Sequence, residues 1–308
     1  MALLTICIPI YNRIEYLNRT LNAFMNSERI ILNDVCIYVS DNCSTDDIGG
    51  LCRKFIDCGL PIVYHRNSEN LGMDGNFANC LKSSTGKYTL LLGSDDVPKL
   101  DYISSLLAVL KRKEVGVLHL YECKADEDKC VYYDSVDKFL LDVNIDITYT
   151  STNIVNTKFI KGIDYDRYKG TFFTQIPAYL KALNSPLPNA ILFGNFYEED
   201  NDSKNNGGYN YFEVFVTNLL NIFKEQVDIG NISYKTYKIF KKRIFKNHIA
   251  YYIVMLLIFK KRGRFNVNNG WLIIMNNYAM HIYSYYYVLK KIVSSILKKT
   301  RYNEKKSY

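Results

Sequence analysis

The first 121 residues alternate between short apolar runs and stretches with helical spacing of apolar positions. Residues 3–10 form a nearly unbroken apolar run, whereas residues 14–26 carry apolar side chains at three- and four-residue intervals. The first pattern indicates a buried strand and the second a helix with one buried face. Repetition of the two patterns predicts strands at 3–10, 35–40, 60–65, 88–92 and 115–120, with helices at 14–26, after 45 or 46, at 74–84 and at 101–111.

Strands that alternate with helices are typical of a mostly parallel sheet with helices on both faces, so we expect an α/β fold. The remainder of the chain differs from this pattern. Residues 122–150 resemble a hairpin or loop excursion, and 198–208 have the composition of a loop. From residue 209 onward the pattern is helical and aromatic. We therefore expect a catalytic α/β domain at 1–208 and a helical region at 209–308.

Three of the predicted strands end in polar residues. The first ends at Pro9-Ile10-Tyr11-Asn12, the second at Ser40-Asp41-Asn42 and the fourth at Gly93-Ser94-Asp95-Asp96. Ligands of open α/β sheets bind beyond the carboxyl ends of the strands, so these three ends should share one rim of the sheet.

Asp95 and Asp96 are adjacent carboxylates that directly follow a buried strand. Two such groups repel each other unless a cation lies between or beside them. Oxygen ligands suit a hard cation such as Mg²⁺ or Mn²⁺, and such a cation suits a phosphate. The alternative is a surface turn with two solvated acids.

Two turns, at 40–46 and at 70–76, have residues that suit a nucleotide. Asp41 can accept a hydrogen bond from the N–H of a pyrimidine base, on which Tyr11 can stack, and Thr45 or Asp46 can cap the following helix. The turn at 70–76 opens onto a helix, whose start can accept an anion or ribose hydroxyls. Ordinary turn and cap formation is the alternative for both segments.

Taken together, these segments resemble the family-2 glycosyltransferases of the GT-A fold, in the branch similar to abequosyltransferases. The resemblance rests on residues 8–13, 40–46, 70–72 and 93–96 and extends over about 3–121. It implies transfer of a sugar, with inversion, from a UDP-, CDP- or dTDP-linked donor to a saccharide acceptor, with Mn²⁺ or Mg²⁺ as cofactor. It also implies a role in the synthesis of surface polysaccharide, such as capsule or lipopolysaccharide, on a lipid-linked acceptor.

By position, the resemblance implies that Pro9, Tyr11 and Asp41 hold the nucleobase and ribose. It implies that Asp95 binds the cation and that Asp96 acts at the metal shell or the donor sugar. The other candidate donor-binding residues in the same segments are Asn12, Asn70, Gly72, Asn76 and Ser94.

The chain departs from the family pattern at two places. Gly93 stands where many relatives have the first Asp of Asp-x-Asp-Asp, although the abequosyltransferase-like branch tends to have Gly there. Gln175 falls in the region where inverting members place the acid that removes the acceptor proton. Asp164 and Asp166, just upstream, are the substitutes, with solvated loop acids as the alternative reading.

Charge divides the chain unevenly. Residues 235–308 contain 17 Lys and Arg and one acid, whereas 1–234 carry a net charge of −8. The apolar run at 249–259 is shorter than the roughly 20 residues that span a bilayer. We expect the basic, aromatic tail to attach to an anionic membrane surface. Packing as a helical hairpin and oligomerisation are alternatives; nucleic-acid binding is not expected, because no recognition motif accompanies the charge.

The beginning of the chain and its cysteines bear on location. Met1 leads directly into a strand-like segment, so we expect no signal peptide, and the eight cysteines are expected to be reduced thiols. The expected location is the cytoplasmic face of a membrane. Two rival functions are a nucleotidyltransferase, which usually needs a Gly-rich loop that residues 11–13 lack, and a non-catalytic membrane-bound scaffold.

Overall fold

A computed structural model of the chain describes residues 2–26, 33–99, 102–123, 129–198, 208–261 and 265–306, without the side chains of 102 and 298–306. The chain divides into two compact units, Met1–Asp202 and Ser203–Tyr308. From the sequence, the boundary is predicted after residue 208. The loop predicted at 198–208 lies outside the described residues, except for its two end positions.

The first unit contains a sheet of eight strands and the helices that connect them. The strands are β1 (Leu4–Ile10), β2 (Val35–Asp41), β3 (Ile62–Arg66), β4 (Tyr88–Leu91), β5 (Val117–Glu122), β6 (Lys129–Tyr133), β7 (Asn153–Asn156) and β8 (Asn189–Gly194). The helices are α1 (Ile14–Met25), α2 (Ile48–Asp57), α3 (Gly72–Ser83), α4 (Tyr102–Arg112), α5 (Val136–Val143), α6 (Thr157–Ile160) and α7 (Ile176–Leu183). Short 3₁₀ segments lie at Asn144–Thr148 and Asp166–Tyr168.

The strand order across the sheet is β3-β2-β1-β4-β7-β5-β8-β6. Strands β3, β2, β1 and β4 are parallel to one another, and β5 is parallel to β8. Strand β7 runs antiparallel between β4 and β5, and β6 runs antiparallel beside β8. The sheet is therefore mixed, and β1 and β4 lie side by side near its centre.

The central strands are apolar on both faces because both faces are covered. Nearly every side chain of β1, β2 and β4 is buried, and these residues form one apolar core with α1, α2 and α4. Strand β3 lies at the edge of the sheet, and more of its side chains are exposed. Continuous apolar runs are typical of covered parallel strands, which explains why these strands are readable from the sequence.

All five predicted strands are present, with their ends shifted by two residues at most. The helix predicted at 101–111 is α4, and its first predicted residue lies outside the described residues. Within the segment 122–150, residues 124–128 lie outside the described residues. The rest differs from the predicted hairpin or loop, because it contains β6, α5 and a 3₁₀ segment. Strand β6 pairs with β8, which follows much later in the chain, so the local pattern could not identify its partner.

The second unit is helical. Its α-helices are α8 (Leu219–Asp228), α9 (Tyr234–Ile244), α10 (Ala250–Tyr252), α11 (Gly270–Tyr278) and α12 (Ile282–Lys306), with π-helical turns at Glu213–Asn218, Phe245–Ile249 and Ile253–Ile258. Aromatic rings form its interior: Phe223 stacks on Phe240, and Phe245 contacts Tyr278. Within the described part of the chain, no helix has both the length and the apolar character that a membrane span requires.

Candidate active site

Three strand ends meet at one rim of the sheet. Strands β2, β1 and β4 are parallel neighbours, so their carboxyl ends lie along the same edge. The N–H of Asn12, after β1, bonds to Ser44 Oγ, after β2, at 3.0 Å. Arg13 Nη1, also after β1, lies 3.3 Å from Asp95 Oδ2, after β4. These contacts bring the three polar segments together as the sequence predicts.

Asp41 is a fully buried carboxylate at the end of β2. Its Oδ1 accepts the Ser44 N–H, and its Oδ2 accepts the Tyr64 hydroxyl and Arg66 Nη1, each at 2.8 Å. Burial alone raises the pKa of a carboxyl, but these hydrogen bonds outweigh burial and hold the pKa of Asp41 below its ordinary value. A nucleobase that bonds to Asp41 must share these oxygens or displace one of these donors.

Tyr64 and Arg66 were not identified from the sequence. Both lie on β3, and Arg66 is directly opposite Asp41 in the β2–β3 register. Burial, and then the bond to Asp41, raise the pKa of Tyr64 to about 12, so its hydroxyl keeps its proton and donates. Their spacing of two residues places them on one face of β3, but only the pairing of β2 with β3 shows which acid that face meets.

A network of amides holds the turn before α3. Ser40 Oγ donates to Asn76 Oδ1 at 2.7 Å, and Asn67 Nδ2 donates to Asn42 Oδ1 and Asn76 Oδ1. Asn76 Nδ2 in turn donates to the Ser40 carbonyl. The Asn76 amide is buried, and these bonds give it a positioning role at the turn. Its contact with the donor stays a prediction. Asn67 is a further member that the sequence analysis missed.

Asn70 and Gly72 form the tip of this turn. Asn70 Oδ1 accepts Asn42 Nδ2 at 2.7 Å and the Gly72 N–H at 2.9 Å. Gly72 has φ +70°, a conformation that costs glycine little. Asn42 therefore fixes the start of α3 beside the end of β2, at the rim where the sequence predicts ribose or phosphate contacts.

The turn after β1 is tied to the turn after β2. Asn12 Oδ1 accepts the Thr45 N–H at 2.7 Å, and Asp46 Oδ2 accepts the Ile14 N–H at the start of α1. The cap of α2 is Asp47, whose side chain accepts the Gly50 N–H, so the prediction of Thr45 or Asp46 as that cap is wrong. The two residues connect the turns instead.

The remaining two residues predicted at the first strand end differ in exposure. Pro9 is partly buried within β1, opposite Ser40 on β2. Tyr11 follows β1, and its side chain is about half exposed. An aromatic ring that is exposed at the rim can stack on a planar base.

Asp95 and Asp96 bend back over Gly93. A Cβ atom at position 93 would lie 2.7 Å from Asp96 Oδ2 and 3.1 Å from Asp95 Oδ1. A side chain at 93 would therefore require the Asp96 carboxylate to move from this position. Ser94, which follows Gly93 in the sequence, is buried. Its backbone carbonyl accepts the Thr20 hydroxyl at 3.3 Å. The structure shows Ser94 anchoring the turn to α1.

The carboxylate pair fits a cation that takes further ligands from its substrate. Among the described residues, no group of three or more His, Cys, Asp or Glu side chains is arranged to hold a metal by itself. Mg²⁺ and Mn²⁺ need only one or two carboxylates when phosphate oxygens and water complete their shell. The oxygens of Asp95 and Asp96 that approach the same point beside Gly93 would fit such a partial shell.

The structure does not bring Asp164 and Asp166 to the rim. Asp166 pairs with Lys169 at 2.8 Å and with Lys82 at 3.9 Å, and the Lys169 hydrogen bond lowers the pKa of Asp166. Lys82 is in the last turn of α3, whose 12 residues extend about 18 Å from the rim end at Gly72. Asp164 Oδ1 accepts the Asp166 N–H. We therefore do not retain either acid as a proton acceptor.

Gln175 lies near the rim end of α3, but it offers no base. Asp74, in the first turn of α3, accepts the N–H groups of Phe172 and Thr174 and so holds the segment before Gln175. Gln175 is buried, with Nε2 3.4 Å from the Thr148 carbonyl. Its Oε1 has no hydrogen-bond partner among the described residues. A carboxamide does not take up a proton at neutral pH, so this position supplies polarity only.

The chain matches the family model of Glycosyl transferase family 2 over residues 5–170. It is 32% identical over 211 residues to the abequosyltransferase RfbV of Salmonella typhimurium, a match that covers 60% of this chain and 62% of RfbV. It is 29% identical over 108 residues to the glycosyltransferase GlyA of Streptococcus pneumoniae serotype 4, covering 33% of this chain and 14% of GlyA. The matches thus span less than two thirds of either relative.

Solved structures show the same fold. Residues 1–349 of Staphylococcus aureus TarS superpose with a TM-score of 0.62 and 17% identity over 82% of this chain and 74% of TarS. The mannosyltransferase PcManGT of Pyrobaculum calidifontis, solved with GDP-Man and Mn²⁺, gives a TM-score of 0.53 and 12% identity over 96% of this chain and 88% of that chain. The eight-stranded mixed sheet is therefore that of the GT-A fold, as the sequence predicts.

Replacing Tyr64 by Phe should lower the free energy of unfolding by about 1–3 kcal/mol at neutral pH, because a buried carboxylate loses a donor. The folded-state pKa of Asp41 is lowered. The ionised form of Asp41 therefore stabilises the fold fully when the pH is above the pKa of this group in the unfolded chain. This stability is lost only as the pH falls through the lower pKa of Asp41 in the folded protein. The loss caused by Tyr64→Phe should therefore stay constant from about pH 8 to about pH 5.

Urea unfolding across this pH range measures the effect. Tyr121→Phe serves as a matched control, because Tyr121 is an exposed tyrosine on β5, and it should change stability little. A Tyr64→Phe deficit that shrinks between pH 8 and pH 5 would contradict the account, since it would mean that Asp41 titrates in that range.

Proposed function

The chain belongs to glycosyl transferase family 2, and we propose that it transfers a sugar from a nucleoside-diphosphate donor to a saccharide acceptor. The observation that carries the proposal is the meeting of the Asp41 turn and the Asp95–Asp96 turn at one rim of the sheet. One turn suits a base and ribose, and the other suits a cation and a diphosphate. The part of the chain that matches the family model contains both turns.

A divalent cation bound at Asp95 and Asp96 would neutralise charge on the leaving diphosphate as a Lewis acid. The remaining work falls to the chain's own groups. Tyr11 stacks on the base, and Asp41 orients it from the end of β2. Arg13, which pairs with Asp95, provides a guanidinium beside the same turn and can bond to a phosphate oxygen. These groups bind and orient the donor before any bond changes.

The donor and metal are proposed from the relatives. TarS has been solved with UDP and with UDP-GlcNAc, and PcManGT with GDP-Man and Mn²⁺. We propose a UDP-, CDP- or dTDP-linked donor with Mn²⁺ or Mg²⁺, and inversion at the anomeric carbon. The similarity to the abequosyltransferase RfbV supports transfer of a sugar. We propose an acceptor that belongs to surface polysaccharide synthesis and is carried on a lipid. The acceptor proton must leave through a group other than Gln175.

The second unit supports attachment to a membrane surface. Helix α12 carries Ile282, Leu289 and Ile296 at seven-residue spacing, with Tyr286 and Val293 between them, and all five are more than half exposed. Residues at these spacings lie on one side of a helix. Trp271, Leu272 and Met275 of α11 and the adjacent Met280 are exposed as well.

Charge decides which partner fits this apolar surface. The sequence from 235 onward contains 17 Lys and Arg and one acid. An exposed apolar stripe on a strongly basic region suits insertion at the surface of an anionic bilayer, with the helices lying in its plane. We propose that the enzyme docks there, at the cytoplasmic face, and so meets a lipid-linked acceptor.

Asp95→Asn should abolish metal-dependent donor binding without unfolding the protein, because it removes the charged cation ligand from a partly exposed turn. Thermal shift with UDP, CDP, GDP and dTDP, each with Mn²⁺ and with EDTA, measures this. A ligand at 100 times its dissociation constant adds about 2.7 kcal/mol of stability to the parent protein. A variant that keeps the Mn²⁺-dependent shift would refute the metal assignment, and no shift in the folded parent would favour a non-catalytic scaffold.

The double variant Leu289→Ser and Ile296→Ser should weaken binding to vesicles that contain phosphatidylglycerol by more than about tenfold, because each buried aliphatic side chain contributes about 1.5–3 kcal/mol. Co-sedimentation at low salt measures binding, and vesicles of phosphatidylcholine alone should bind less of the parent. Ile229→Ser is the matched control, because Ile229 is equally exposed but lies outside α11 and α12. Unchanged binding of the double variant, or an equal loss in the control, would exclude this surface as the attachment site.

A further inference from the structure

Ser151 has a backbone conformation that serine rarely adopts. It lies just before β7, is buried, and has φ +67°, in the left-handed region that favours glycine. Such a residue persists only where its surroundings hold it, and strained residues cluster at functional sites. Its N–H donates to the Leu91 carbonyl at 2.6 Å, and its carbonyl accepts the Tyr197 hydroxyl. The first bond ties its backbone to the end of β4, and the second ties it to Tyr197, which follows β8.

The Ser151 hydroxyl makes a different pair of contacts. It lies 2.8 Å from the Gly93 N–H and within hydrogen-bond distance of Asp96 Oδ2. The Gly93 N–H can only donate, so Ser151 Oγ must accept from it. The one hydroxyl hydrogen is then available for Asp96, whose carboxylate accepts it. The direction of this chain of hydrogen bonds is therefore fixed by chemistry.

We infer that Ser151 is a positioning residue that holds the Asp96 carboxylate over Gly93 and so shapes the cation site. This inference rests on the proposed function. Asp96 Oδ2 is the oxygen that approaches the Cβ position of residue 93 most closely, at 2.7 Å. The absence of a side chain at 93 makes room for this carboxylate, and the Ser151 hydroxyl keeps it there.

A side chain at position 93 would require the Asp96 carboxylate to move away from its position beside the Ser151 hydroxyl. In this chain the turn after β4 is therefore held by a neutral hydroxyl from the segment just before β7, the antiparallel neighbour of β4. Residues that orient metal ligands in this way commonly change metal affinity by 10–100-fold when they are replaced.

Two substitutions separate the hydroxyl from the backbone. Ser151→Gly and Ser151→Ala both remove the hydroxyl, but only glycine tolerates the left-handed conformation without strain. If the hydroxyl positions Asp96, both variants should bind Mn²⁺ about tenfold or more weakly in the presence of a nucleoside diphosphate. Ser151→Gly should keep a melting temperature close to that of the parent. Nucleotide affinity measured in EDTA should not change in the variants, since Ser151 is bonded to the end of β4, whereas Asp41 ends β2 on the other side of β1.

Titration calorimetry of Mn²⁺ into the full chain with UDP, CDP, GDP or dTDP, whichever binds the parent, measures these affinities. Thr152→Ala is the matched control, because the neighbouring Thr152 hydroxyl donates to the carbonyls of Asp146 and Tyr149, and it should keep the parental Mn²⁺ affinity. A Ser151→Gly protein with parental Mn²⁺ affinity would overturn this inference but leave the proposed function standing. A parent with no Mn²⁺-dependent nucleotide binding would overturn the proposed function and this inference with it.

Discussion

A buried negative charge at the end of β2 dictates the form of the rim. Asp41 is removed from water, so its carboxylate needs donors from the protein, and they come from Ser44 on the following turn and from Tyr64 and Arg66 on β3. Supplying them fixes the β2 turn and the register of the edge strand together. Ser44 also accepts the Asn12 N–H, so the same requirement reaches the end of β1. The hydrogen bonds that satisfy one buried charge therefore also shape the proposed donor site.

The end of β4 presents the opposite problem, because the two carboxylates of Asp95 and Asp96 lie close together and are only partly buried. Asp95 is paired with Arg13, and Asp96 with Ser151, while Gly93 leaves the space that both occupy. Asp95 and Asp96 are the residues that would hold the cation of the proposed function. The two strand ends thus differ: the end of β2 holds a buried charge that the protein itself neutralises, and the end of β4 presents partly exposed carboxylates at the rim.

The features that the sequence predicts come from local patterns, whereas those that it misses depend on contacts between residues far apart in the chain. Continuous apolar runs reveal β1 to β5, and the polar residues after β1, β2 and β4 reveal the rim, because both are local patterns. The partners of Asp41 and Asp96 lie on β3 and before β7, and only strand pairing shows that they face these acids. The same limit applies to β6, whose partner β8 is distant in the chain, and to Asn76, whose burial no local pattern indicates. Asp164 and Asp166 had suitable chemistry, but their place depends on how the loop runs along α3.

The most direct test of the account is release of nucleoside diphosphate from UDP-, CDP- and dTDP-linked sugars incubated with the purified full chain. Each donor is compared in Mn²⁺ and in EDTA, with and without a lipid-linked saccharide acceptor. The account predicts release that requires Mn²⁺, favours donors of one nucleotide and increases with a suitable acceptor. Folded protein that binds a nucleoside diphosphate with Mn²⁺ but releases none from any donor would contradict it and indicate a scaffold that retains the fold.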